Sequence, residues 1–134
     1  MINLRIITPT GTYLVQSVEY LEVRAPHSVL GILPGHAPLI STILIAPLKT
    51  KVNGVTYYYA AGEGVINVRK DETVVLVNSI ERVDEIDINR AIEAKRRAEE
   101  NLERAKDDND IDIARAQSAV SRALNRINVY NEYK

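Results

Sequence analysis

The chain has 134 residues, 46% of them hydrophobic, which is enough for one small domain with an apolar core, or for such a domain with an appendage. A net charge of −1 leaves no basic excess for nucleic acid, and the absence of Cys excludes disulfides and thiolate metal sites. No apolar run nears the ~18 residues of a membrane span, and MINLRIITPT is no signal peptide, so a soluble intracellular chain without direct membrane insertion is expected.

From Met1 to about Ser79 the chain reads as short strands. Ile2, Leu4 and Ile6 alternate with Asn3, Arg5 and Ile7, and Leu21, Val23 and Ala25 alternate with Glu22 and Arg24, the period of half-buried strands. GILPGHAPL, residues 31–39, breaks the pattern with two glycines and two prolines and holds His36, one of two histidines. In KVNGVTYYY, Asn53-Gly54 takes the positive φ angles of a type I′ hairpin turn. Tyr57, Tyr58 and Tyr59 then point to alternate faces, so at least one of them is expected to be exposed. A second hairpin is expected in VINVRKDETVVLV, turning over Arg69 to Glu72. With no Phe and no Trp, the core has to be built from Val, Ile, Leu and Tyr. Strands at this spacing predict an antiparallel β-sandwich or barrel over residues 1–84.

The pattern then changes. From Asp84 to Lys134 there is neither Gly nor Pro. Ala91, Ala94 or Lys95, Ala98, Leu102 and Ala105 follow helical spacing, as do Ile113, Ala116, Val120, Ala123 or Leu124, and Ile127. Asp84 or Asp87 is a cap for the first helix, and KDDND, residues 106–110, turns the chain and caps the second. The fold class expected is α+β, an N-terminal antiparallel β-sandwich followed by a two-helix hairpin over residues 85–134. Its seam of Ala buries little area per residue, and at ~25 cal/mol per Å² it contributes far less than a Leu seam. Such a hairpin is marginal alone; it packs on the sandwich, binds a ligand or docks on a partner, unless it is a plain coiled-coil stalk.

Catalytic chemistry finds no support. There is no Cys and no GxSxG turn, and His27 and His36 lack ligand spacing, so no catalytic residue and no metal site is expected. The glycines of AAGEGV, residues 60–65, lie in no βαβ unit, and no GxxxxGK[ST] phosphate loop is present. His36 reads as a turn residue at a partner-facing edge.

Three motifs in order nevertheless resemble one family. GILPGHAPL, IERVDEIDINRA (residues 80–91) and RALNRINV (residues 122–129) are similar to segments of the epsilon subunits of the bacterial rotary F-type ATP synthase, and order, spacing and length agree over the whole chain. Two departures stand out. Val29 occupies a position that is commonly acidic just before the loop, and Gly62-Glu63-Gly64-Val65 replaces the usual Gly-Gly-Phe, which suggests a repacked core.

The resemblance implies a non-catalytic rotor subunit, peripheral at the cytoplasmic side of the cell membrane. Its sandwich would grip the gamma subunit and rest on the membrane ring of c subunits, through a loop that includes Val29, Gly31 and His36. Its hairpin would be a mobile inhibitor of ATP hydrolysis, reaching the catalytic alpha and beta subunits when extended. No cofactor is required, but some members hold ATP as a regulatory ligand between the helices. The matching positions here are Glu81, Ile86, Asp87, Arg90, Ala91, Arg97, Arg122 and Arg126. Arg122 and Arg126 share one face of the second helix, and Arg90 and Arg97 one face of the first, so four guanidiniums would converge on a triphosphate. The same residues also read as a helix cap and ordinary ion pairs. Two alternatives stay open: a sandwich adaptor with a coiled-coil tail in another assembly, and a stand-alone nucleotide sensor.

Overall fold

The computed structural model describes residues 1–134. Ten strands form two five-stranded sheets packed face to face. In chain order they are β1 (Ile2–Thr8), β2 (Gly11–Val18), β3 (Tyr20–Arg24), β4 (Val29–Ile32), β5 (Leu39–Ile43), β6 (Ala46–Val52), β7 (Val55–Ala61), β8 (Gly64–Val68), β9 (Thr73–Val77) and β10 (Ile80–Arg82). The first sheet runs β2-β1-β9-β8-β5 and the second β10-β7-β6-β3-β4. All neighbours are antiparallel except β1 and β9, which pair in parallel with Leu4 opposite Thr73. The antiparallel expectation therefore needs this one amendment. Both flanks of β1 are in use: its hairpin partner β2 takes one, and β9 reaches the other only after the chain has crossed the second sheet.

The alternation in β1 and β3 is realised as burial of Ile2, Leu4, Ile6, Leu21 and Val23. With Leu48, Ile66, Val75 and others they form one cluster of 16 buried side chains between the sheets. Asn53 and Gly54 take φ of 51° and 79° at the β6–β7 turn. The Arg69 N–H donates to the Glu72 carbonyl at 2.9 Å, closing the β8–β9 turn. Val65, where the family pattern has Phe, is half-buried on the outer face, and its neighbour Ile66 fills the core. A core aromatic is supplied by Tyr59, edge-on to Tyr13 with ring centroids 6.3 Å apart.

After β10 a short 3-10 turn (Val83–Glu85) leads into α1 (Ile88–Ala105) and α2 (Ile113–Tyr133), an antiparallel hairpin. Asp87 caps α1, accepting from the Arg90 N–H at 3.1 Å. Asp84 is instead held by the Arg82 guanidinium at 2.5 and 2.7 Å. The cap of α2 is Asp112, just beyond the expected KDDND stretch, where Asp108 only braces the turn by accepting from the Asp110 N–H. Ala91, Ala98 and Ala105 are buried on α1 and Ala116 and Ala123 on α2, so the Ala seam forms. Ile113, assigned to that seam by spacing, is exposed, and of the pair Ala123 or Leu124 it is Ala123 that is buried. Ile113 starts its helix at the hairpin tip, and Leu124 faces away from α1.

α2 is the helix that packs on the outer face of the second sheet, over β7. Val129, Ile86 and Ala60 form a small buried cluster there, edged by Val83, Tyr130 and Tyr133. Tyr58 and Tyr133 stack with centroids 3.7 Å apart and planes within 6°. No Tyr of the 57–59 run is therefore fully exposed, against expectation, because the helix covers the outward-facing one.

Gly64 begins β8, where a Cβ would sit 1.8 Å from the Leu76 carbonyl oxygen of β9. The atoms it would meet, Leu76 and Val77 of β9, are backbone and cannot swing aside as a side chain could. Gly64→Ala is expected to destabilise the sandwich by about 3 kcal/mol or more, read as a lower urea midpoint of the strand signal.

Candidate functional site

Docking of α2 brings together residues that are far apart in sequence. Arg126 reaches down to β10 and its Nε donates to Glu81 Oε1 at 2.6 Å, with both side chains about a third exposed or less. One turn earlier, Arg122 Nη1 donates to Glu63 Oε1 at 3.1 Å. The Asn125 amide donates to the Ala61 carbonyl at 3.2 Å. α2 therefore carries a polar stripe that sequence spacing had grouped only as a ligand face.

Between the two helices and the junction lies a cleft of about 430 Å³, lined by Glu81, Glu85, Asp87, Arg90, Ala91, Ala94, Arg97 and Arg126. Six of the eight residues expected from the resemblance meet here: Glu81, Asp87, Arg90, Ala91, Arg97 and Arg126. Ile86 lies beneath it in the buried cluster with Val129. Arg122 points elsewhere, lining a small adjoining space with Ala60, Ala61, Gly62, Ser79, Asn125 and Arg126. Three guanidiniums converge, not four.

The charges divide the cleft. Arg90 and Arg97 project from one face of α1 and face Arg126 of α2. Neither is held by a carboxylate, whereas their neighbour Arg96 is clamped on the outer face by Glu93 and Glu100. The opposite end is acidic. Glu85, which the sequence reading passed over, accepts from the Arg82 N–H at 3.0 Å and from the Tyr13 hydroxyl. Burial, and then that Glu85 carboxylate, push the Tyr13 hydroxyl well above the usual phenol range. The signal for Glu85 was its place two residues before the capping Asp87. No local signal could have named Tyr13, 72 residues away. Chemically the cleft offers fixed cations for an anionic group and carboxylate acceptors for an amine or hydroxyl.

Glu63 has a distinct environment. Burial alone would raise its carboxyl, but its own backbone N–H, the Asn78 amide at 2.5 Å and the Arg122 guanidinium outweigh this and hold it below the usual carboxylate range.

The loop between β4 and β5 stands at one end of the sandwich. Leu33 is exposed there, but Val29 and Gly31, expected in this loop, lie within β4, with Val29 exposed at the strand's far end opposite Arg24. The His36 N–H donates to the Leu33 carbonyl at 3.1 Å, closing a turn in which Gly35 has φ 83°. Gly31 lies under the Tyr20 ring, whose hydroxyl would be 2.7 Å from an added Cβ. None of these three expected loop residues approaches the cleft.

Comparison with known proteins agrees along the chain. The family model described as the beta-sandwich domain of the ATP synthase Delta/Epsilon chain matches residues 1–83, and that of its long alpha-helix domain matches residues 84–131. The ATP synthase epsilon chain of Bacillus licheniformis is 41% identical over 128 residues, which is 96% of this chain and 96% of that one. The epsilon chain of Staphylococcus aureus is 38% identical over 129 residues, 96% of this chain and 95% of that one. Among solved structures, a chain of the Euglena gracilis mitochondrial ATP synthase superposes with a TM-score of 0.75 at 17% identity, over 92% of this chain and 78% of its own. A chain of the Tetrahymena thermophila mitochondrial ATP synthase superposes with a TM-score of 0.54 at 16% identity, over 63% of this chain and 68% of its own. At that identity these two speak for the fold alone. The two family models in sequence and the near-full-length relatives settle the rest: the chain belongs to the delta/epsilon family of F-type ATP synthase subunits, as a bacterial epsilon chain and a non-catalytic part of that complex.

Proposed function

We propose that this chain works in the central stalk as both coupler and brake. The sandwich, residues 1–84, grips the gamma subunit and rests on the membrane ring of c subunits through β4 and the loop after it, which bear Val29, Gly31 and His36. This makes the protein peripheral at the cytoplasmic side of the cell membrane; no helix is long and apolar enough to cross one. The hairpin, residues 85–134, alternates between the docked form and one extended along gamma toward the alpha and beta subunits, where it blocks ATP hydrolysis. Supporting the assembly, the two solved neighbours come from complexes described as OSCP/F1/c-ring and central stalk/c-ring.

The nucleotide reading rests on one observation, the cleft that α1, α2 and the β10 junction enclose together. Its volume of about 430 Å³ suits a nucleotide. ATP bound there, and not hydrolysed, sets Arg90, Arg97 and Arg126 on its phosphates and leaves the acidic end to the base and sugar. Undocking parts Arg126 from Glu81 and opens the β10 side of the cleft, so ATP binds only the docked form. A ligand with that preference stabilises it by RT ln(1 + [L]/Kd), about 2.7 kcal/mol at a hundredfold excess over Kd. That is enough to shift an element whose two states differ by a few kcal/mol.

Millimolar ATP is therefore expected to protect residues 85–134 from amide hydrogen exchange while the sandwich exchanges as before. Arg126→Ala or Arg97→Ala should demand about ten- to hundredfold more ATP for the same protection. Arg115, exposed near the start of α2, is the control. If Arg115→Ala weakened ATP as much as Arg126→Ala, diffuse charge attraction would replace the pocket. A chain ending at residue 84 should remain folded by circular dichroism, since its 16-residue core is complete. Assembled with gamma and the catalytic subunits, it is expected to raise ATP hydrolysis; unchanged hydrolysis would refute the brake.

A further inference from the structure

Glu63 sits at the β7–β8 corner with little freedom of position. On one side, a Cβ at Gly62 would lie 2.9 Å from Ser79 Oγ; on the other, Gly64 is closed by the β9 backbone. The Glu63 carbonyl accepts from the Asn78 N–H at 3.0 Å, and its Oε1 accepts from the Asn78 amide at 2.5 Å. The corner thus presents a fixed carboxylate to α2. Arg122 meets it at 3.1 Å, and Asn125 on the same stripe anchors to Ala61.

The pairing is not a saturated one. Glu63 Oε2 is shielded from solvent and has no hydrogen-bond partner. Leaving a buried acceptor empty costs free energy, so this contact is weaker than its distance suggests. Arg122 also has somewhere else to go: the small space it lines shares Arg126 with the large cleft. Carboxylate and phosphate offer a guanidinium the same kind of oxygen pair, so one can replace the other.

We infer that Glu63 is a built-in competitor for the nucleotide, latching Arg122 in the empty docked hairpin and releasing it to a bound triphosphate. The competitor half rests on the ATP reading above; the latch half rests on the geometry alone. The two roles act in opposite directions. Neutralising Glu63 loosens the empty hairpin, yet frees a fourth guanidinium for the phosphates.

A double-mutant cycle on the full chain, with ATP titrated calorimetrically, separates this from an ordinary ion pair. Arg122→Ala is expected to weaken ATP only about threefold in the natural chain, where Glu63 already holds that side chain. In the Glu63→Gln background the same substitution should weaken it about tenfold or more, since Arg122 then contributes a charged hydrogen bond in full. A merely structural pair gives the contrary pattern, with both single variants equally weak and the double no weaker. That pattern, or equal Arg122 effects in the two backgrounds, overturns the competitor. Without nucleotide, Glu63→Gln should speed hydrogen exchange across residues 113–133 and leave β1 to β9 unchanged; unaltered exchange in α2 overturns the latch. ATP binding that depends on Arg126 but ignores both Glu63 and Arg122 defeats this inference alone. Absence of ATP binding by the natural chain defeats the nucleotide reading and the competitor with it.

Discussion

The contact between α2 and the outer face of β7 is the interaction on which the placement of the hairpin and its cleft depends. Its apolar centre is only Ala60, Ile86 and Val129, against 16 residues in the sandwich core. Around that centre lie polar contacts: Arg122 with Glu63, Asn125 with Ala61, Arg126 with Glu81, and the Tyr58–Tyr133 stack. Partly exposed ion pairs of this kind contribute on the order of 1 kcal/mol or less each. The sandwich therefore holds most of the apolar burial, and the hairpin is seated on it by a small contact. The same small contact closes the β10 side of the arginine cleft.

The helices of the hairpin are supported from within. Each helix has an Asp cap, Asp87 and Asp112, that satisfies an otherwise unpaired N–H. The outer face of α1 is laced with its own pairs, Lys95 with Glu99 and Arg96 with Glu93 and Glu100, at the three- and four-residue spacings where neighbours on a helix meet. These contacts owe nothing to the sandwich. What joins the hairpin to the sandwich is the small apolar cluster and the polar stripe on α2. Self-contained helices with a small attachment are what the proposed two-position hairpin requires.

Arg122 and Arg126 show how one helix face can serve two ends. They stand one turn apart, yet their partners come from different places, the β7–β8 corner for Arg122 and β10 for Arg126. Spacing alone cannot separate them, because both project toward the same side of the helix. What separates them is the sheet beneath, where Glu63 and Glu81 lie on opposite sides of the Ala61–Ile80 pair that joins β7 to β10.

Local pattern determined most of the architecture. Alternation in β1 and β3, the Asn53-Gly54 turn, the four-residue turn after Val68, and the Ala repeat of the helices were all legible. Each follows from backbone geometry and the period of its own side chains. The three motifs identified the family for the same reason, being contiguous stretches. The parallel pairing of β1 with β9, the burial of Val129 and Asn125, and the covering of Tyr58 by Tyr133 were not legible. All three depend on which surfaces meet after the chain has folded back, and residues that meet across a fold need share no pattern. The site divides along the same line. The capping Asp87 and the arginines of α1 could be marked from sequence, whereas Glu85's link to Tyr13 and Arg122's capture by Glu63 arise only when α2 lies down on the sheet and distant charges choose their nearest partners.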